Sequence, residues 1–525
     1  MAQRTPPLPK KLPRTGFYVH HPVSTKNKEA QRWFDQGLTQ IYALDYSEAS
    51  KSFQRAASAD PTMAMAFWGI SYALGSDYYY KTQGDPAREQ DSYKALQRAV
   101  TLSTTGPAAE RAYIAALGRR YCHCPNPDRE RLAVEFKDGM RDLAQGYPND
   151  LDAATLYAQS IMNLKPWELW DAKGLPWEGT PQILSVLESV LKRDPHHLGA
   201  LHYYIHAVEA SPDPGRALAY ASILPSVAPP IGHLVHMPAH IYVRTGYYLA
   251  AEKACLKAAR LDENHIESSP DMFTVMSYLH DLYFLAAAAS MDGHYLTARN
   301  ASSKLAERVG PHVKAMRQLE PFLTVEAAVL VRFHHWDDIL KQPQPAATLK
   351  IANSMWHFSR GMAFAATGMI TEAEKEGQAL ADTQQASSDE IFGMSATNKT
   401  GDILKIASEV LAAKLASARH KRGQAVSHLR DAVAIQDNLK YSEPPGWFYP
   451  LRESLGATLF LDGQTSEAEQ VFRDDLRRNP KNPRSLFGLL QILRSRGQSH
   501  ETDVLQKEFD TTWQGSLQQL NLQSY

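Results

Sequence analysis

The sequence predicts an all-α chain, a solenoid of stacked helical hairpins with irregular central repeats. Three observations carry that reading. Small and aromatic residues recur at fixed offsets near both ends of the chain, Pro- and Gly-rich turns punctuate helical runs, and the two-residue alternation of a strand is nowhere sustained.

The first ladder is Trp33, Gly37, Ala49, Phe53, Ala56 and Pro61. A large and a small residue lie one turn apart on a first helix, alanine and an aromatic follow on a second, and proline ends the unit. This is the tetratricopeptide pattern. Its logic is packing: small residues let two helices approach closely, and the aromatic fills the groove between successive hairpins. Leu455, Gly456, Gly463, Ala468, Phe472 and Pro480 repeat the ladder near the other end, with Asp475 standing where a small residue is expected. Weaker units fall at Ala239, Gly246, Ala251 and Ala258, at Ala286, Gly293 and Ala298, and at Gly361, Gly368 and Ala373. Breaks are expected at Lys165 to Pro176, Ser211 to Pro214, Pro225 to Pro230, Pro343 to Pro345 and Glu443 to Gly446. The division expected is a flexible leader over 1–25, an N-terminal and central helical array over 26–340, and a C-terminal array over 347–525.

Composition narrows the function. Apolar residues make up 44% of the 525 and charged residues 22%, as in a globular chain. The balance of 56 Lys+Arg against 57 Asp+Glu lacks the basic excess of a phosphate-backbone binder, so nucleic acid is not expected as a partner. Three cysteines, Cys122, Cys124 and Cys255, are too few for a disulfide framework and fit a reducing compartment. Met1 to Thr15 is rich in proline and basic residues without an apolar core, and no apolar stretch is long enough to span a membrane, so the expectation is a cytoplasmic protein with no membrane partner.

The chemistry-bearing feature is a histidine constellation. His202 and His206 stand four apart, which places both imidazoles and the Glu209 carboxylate on one helical face. His233, His236 and His240 follow at spacings of three and four, and His280 with Asp281 lies on a later helix. On successive helices of adjacent hairpins these sets would share a groove. Neutral imidazole suits zinc, copper, iron or nickel, and the scarcity of thiolates argues against a soft sulfur site. Taken singly, each histidine is more simply a hydrogen-bonded core or capping residue; the clustering of three within eight residues is what points to a metal. Pro238 must start a helix or kink one, which alters the simple spacing between His236 and His240.

Other features read more plainly. His20-His21, His196-His197 and His334-His335 are neighbours aimed at different helical faces, as surface or cap residues. Cys122-His123-Cys124 is too tightly spaced for the usual zinc knuckle. Trp167, Trp170 and Tyr78 to Tyr80 suit either interhelical core or an aromatic pocket. Glu443 and Arg452 flank Trp447 and suit a structural pair. No phosphate loop, nucleophile elbow or dinucleotide fingerprint occurs.

The stretches Ala30 to Gly37, Met65 to Gly69, Ala200 to Pro212, His233 to Tyr242 and Glu443 to Trp447 resemble a largely uncharacterised family of tetratricopeptide-repeat proteins of bacteria and fungi. The resemblance spans nearly the whole chain and implies a helical-repeat fold. It also implies that His202, His206, His233, His236, His240 and His280 occupy motif positions of that family. Asp45-Tyr46 departs from the Asn-His expected of relatives.

Two functions compete. One is a metalloenzyme, an oxidoreductase in preference to a hydrolase, acting on a small-molecule substrate. Its transition metal (Cu, Fe or Zn) is held by His202, His206, His233, His236, His240 and His280, with Glu209 or Asp281 as proton acceptor or orienting group. The other is a non-catalytic adaptor whose concave groove holds a peptide or protein partner.

Overall fold

The computed structural model describes residues 19–75, 85–122, 127–268, 271–386, 391–392, 398–497 and 499–525. Tyr78 to Tyr80, His123, Cys124 and most of the leader lie outside the described residues. The chain is an all-α, tetratricopeptide-like solenoid of helical hairpins with irregular spacing. Sheet among the described residues is limited to Ile391–Phe392 paired antiparallel with Asn398–Lys399. No helix among the described residues is long and apolar enough to cross a membrane. The chain forms two compact units, Met1–Trp170 with Gly174–Met237, and Asp171–Lys173 with Pro238–Tyr525.

In the first unit, Asn27 caps the helix Lys28–Tyr42 by accepting from the main-chain N–H groups of Glu29 and Ala30. The chain then turns at Leu44, in the left-handed region at φ 60°, into Tyr46–Ala59, and Ala64–Leu74 closes the unit's first layer. Phe53 decides this packing. A Cβ on Gly37 would sit 2.7 Å from its ring and one on Gly69 2.3 Å, so only glycine admits the aromatic from both sides. Later, Leu198–Val208 lies against both Lys28–Tyr42 and Leu151–Met162.

The second unit repeats the hairpin from Pro238–Arg244 with Tyr248–Ser268 to Pro483–Ser495 with His500–Thr512. A left-handed residue joins the two helices of most hairpins. Gly246, Gly293, Gly368 and Gly463 serve at φ between 78° and 96°, while His334 and His420 hold the same turn at φ 60° and 59°. Phe472 repeats the role of Phe53, wedged where a Cβ on Gly456 or Gly488 would meet its ring at 2.7 or 2.2 Å. Asp475, the departure in the second ladder, has its own reason. Its buried carboxylate accepts from Asn482 Nδ2 and Ser485 Oγ, each at 2.6 Å, and from Asn479 Nδ2 at 2.9 Å, tying one hairpin to the next.

Candidate functional site

Three of the six predicted ligand histidines converge in the first unit. His202 and His206 project from the wholly buried helix Leu198–Val208, and His233 comes from the short helix Gly232–His236. Their ligand nitrogens lie within 4.8 Å of one another. Ring centroids are 4.9 Å apart for His202 with His206 and with His233, and 5.9 Å for His206 with His233.

The surroundings fix the protons. His202 Nδ1 lies 2.5 Å from the main-chain oxygen of Tyr42, an atom that only accepts, so Nδ1 carries the hydrogen and Nε2 the lone pair. His206 Nδ1 faces Glu209 Oε1 at 3.2 Å and is turned the same way by that carboxylate. Nε2 of His202 and Nε2 of His233 are 3.1 Å apart. A tetrahedral metal with nitrogen bonds of about 2.05 Å sets its nitrogens roughly 3.3 Å apart, so the pair stands near ligating separation. Burial lowers the pKa of His206 to about 3, and burial with the nearby His206 pushes His202 well below the usual value. The imidazoles of His202 and His206 are therefore held in the neutral form a metal requires.

Gly199 makes this geometry accessible. A Cβ there would meet the Tyr42 ring at 2.3 Å, so the glycine lets the histidine helix close on the Tyr42 carbonyl. From the other side Trp170 Nε1 donates to Ala207 O at 2.8 Å and the Trp167 ring meets His206 edge-on at 6.3 Å. Both tryptophans thus serve as support for the histidine helix.

The remaining predicted residues are distributed as follows. His236 is buried in the first unit, near enough to His206 to be influenced by its charge, and its pKa is lowered to about 3 chiefly by burial. In the second unit His240 pairs through Nδ1 with Glu443, and its ring lies 5.8 Å from that of His280. Asp281 is buried on Met272–Asp292, where burial raises its pKa well above the carboxylate range, and burial, then the Asp281 charge, raises that of the Cys255 thiol. Glu443 pairs with His240 and Arg452 with Asp437 at 2.6 Å, so the expected Glu443–Arg452 pair is replaced by two others.

A second constellation went unread in the sequence. His21 Nδ1 at 2.7 Å, His197 Nε2 at 3.2 Å and the Tyr42 hydroxyl at 2.5 Å all meet the Asp152 carboxylate. Burial pushes that carboxyl upward, but the bonds from His197 and His21 outweigh it and hold it well below the usual range. His21 and His197 read as surface or cap residues because their partner is remote in sequence. His197 does cap its helix, accepting from the Ala200 N–H at 3.2 Å, and bonds Asp152 as well.

Residues 235–265 match the model of the tetratricopeptide repeat family. A stretch of 61 residues is 36% identical to an uncharacterised protein of Aquifex aeolicus (strain VF5), covering 11% of this chain and 8% of that protein. Among solved structures, human IFIT1 with m7Gppp-AAAA aligns over 93% of this chain and 95% of its own at 11% identity and a TM-score of 0.34. Yeast Tom70 aligns over 95% of each chain at 14% identity and a TM-score of 0.30.

One expectation is corrected. The even balance of acid and base was read as excluding nucleic acid, but a whole-chain sum does not fix the charge inside one groove. The exclusion therefore does not stand on composition; of the chains aligned above, human IFIT1 was solved with m7Gppp-AAAA.

Proposed function

We propose that this protein binds a transition metal ion, zinc, copper or iron, through Nε2 of His202, His206 and His233 on its tetratricopeptide-like scaffold. The observation that carries the reading is the convergence of three buried imidazoles, two of them pinned at Nδ1 so that Nε2 keeps its lone pair. A structural role alone would not require a carboxylate and a main-chain carbonyl to orient neighbouring histidines toward one point. Three nitrogen ligands leave a coordination position for water or a substrate. The finer form of the proposal is oxidative, in preference to hydrolytic, chemistry on a small molecule at that position, with Glu209 positioning His206.

The test is elemental analysis of the purified full chain beside His233→Ala and Glu209→Gln variants. Stoichiometric metal in the parent is expected, with loss in the first variant and affinity lowered by roughly tenfold or more in the second. No metal after reconstitution with zinc, copper and iron, in a chain that melts cooperatively, would overturn the reading.

A second reading is an adaptor that seats a peptide or protein partner in a groove. It is supported by the side-by-side packing of first helices in the second unit, Val325–Arg332 with Lys350–Ala366 and the latter with Thr400–Ala418. Partner capture that survives chelation and His233→Ala unchanged would favour it.

A further inference from the structure

The second unit contains a cavity of about 300 Å³ whose walls come largely from the first helices of five consecutive hairpins, from Val325–Arg332 to Pro483–Ser495, completed by Trp336, Arg422 and Leu429 of second helices and by Leu522 to Tyr525. Its charged lining is one-sided. Arg332, Lys414, Arg422 and Arg484 face it, against the single side-chain carboxylate of Glu453. That carboxylate is already engaged, bonded by Arg332 Nη1 and Nη2 at 3.0 and 3.1 Å and by Asn482 Nδ2 at 2.8 Å.

Among the described residues the other cations form no ion pair, although the Glu453 charge also acts on Arg484. Arg484 is buried, its Nη2 donates to the main-chain oxygen of Arg332 at 2.7 Å, and its Nε has no hydrogen-bond partner among the described residues. Lys414 forms no ion pair or hydrogen bond among the described residues and approaches only the Trp336 ring, at 5.9 Å. The Tyr525 hydroxyl is buried without a hydrogen-bond partner among the described residues and lies on a residue that borders the same space. Donors of this kind are rarely left buried unless an acceptor completes them, and uncompensated buried charge is costlier still. Water filling the cavity would satisfy the donors but not the charge. Independent of these contacts, His334 in the same wall has its pKa lowered to about 3 by burial and by the positive charges of Arg484, Lys414 and Arg332.

We propose that this cavity is a binding site for a small anionic molecule bearing phosphate or carboxylate groups, with Lys414 Nζ and Arg484 Nε as its principal donors. The cavity volume suits a compact ligand, and both cations present charge-assisted donors toward one partly open cleft. The site is separate from the histidine cluster and does not depend on the metal.

The test uses metal-stripped full-length protein and three probes, inorganic phosphate, pyrophosphate and citrate, titrated calorimetrically at constant ionic strength against sodium chloride. At least one probe is expected to bind and to raise the melting temperature beyond the chloride control; which one binds tells phosphate from carboxylate recognition. Lys414→Met should cost about tenfold or more in affinity, the range of a charge-assisted bond, while Lys414→Arg stays within a few-fold of the parent. Because Lys414→Met removes an uncompensated charge, the unliganded variant should melt no lower than the parent, which separates lost binding from lost folding. Absence of binding by all three probes would make the cavity water-filled only, and binding unchanged in Lys414→Met would remove Lys414 from it; either overturns the proposal.

Discussion

His202 Nδ1 donates to the main-chain carbonyl of Tyr42 at 2.5 Å, across 160 residues of chain. The Tyr42 hydroxyl donates in turn to Asp152 at 2.5 Å, so one tyrosine at the end of the first helix holds both a candidate ligand and the anchoring carboxylate. The orientation of the candidate ligand nitrogen is therefore a property of how Leu198–Val208 docks on Lys28–Tyr42.

Gly199→Ala tests that docking. The added Cβ, 2.3 Å from the Tyr42 ring, must push the histidine helix outward. The expected cost is about 1–3 kcal/mol of stability, as for overpacking elsewhere. Metal affinity should fall as the Tyr42 carbonyl loses His202. Urea unfolding and competition with a chromogenic chelator measure the two effects. A destabilised variant with unaltered affinity would show that Tyr42 does not orient the ligand.

The difference between what the sequence disclosed and what it hid follows from distance along the chain. Phe53 with Gly37, and Phe472 with Gly456, are legible because hairpin packing is local and its offsets are fixed by helix geometry. The face shared by His202, His206 and Glu209 is legible for the same reason, since one helical turn brings them together. The supports are not. Tyr42 reaches His202 across 160 residues, and Asp152 gathers His21 across 131. Neither tertiary contact leaves a periodic trace, so His21 and His197 read as surface residues. Asp475 broke the repeat rule visibly, but its three hydrogen-bond partners, Asn479, Asn482 and Ser485, gave the reason only in space.

The buried histidines give the metal-free protein an acid sensitivity of defined sign. His206 and His236 have folded-state pKa values of about 3, against about 6.5 for an unfolded histidine. Between those values the unfolded chain binds more protons than the folded one, so stability rises with pH and is lost as pH falls from about 6.5 toward 3. Each such group contributes at most about 1.4 kcal/mol per pH unit in that window. Urea midpoints measured from pH 7.5 to 4.5 should decline, and His206→Gln should flatten the decline. An equal slope in parent and variant would mean that His206 is charged in the folded state.

Asp292 works in the opposite direction. Its fully buried carboxyl sits in a cluster with Glu252 and His294, whose Nδ1 bonds Glu252 at 2.7 Å. Burial, then the Glu252 charge, raises its pKa to about 8, far above the value near 3.9 of an unfolded aspartate. The folded chain here holds the proton that the unfolded chain releases, so this group lowers stability progressively as pH rises from about 4 to 8. Asp292→Asn removes the titration, and its amide can donate to Glu252 where the carboxylic acid did. The variant should be more stable than the parent by about 1–3 kcal/mol at pH 8, with a smaller gap at pH 5. Urea unfolding at the two pH values measures the gap. A difference that does not change with pH would place Asp292 among ordinary ionised carboxylates, compensated by a cation that the cluster then has to contain.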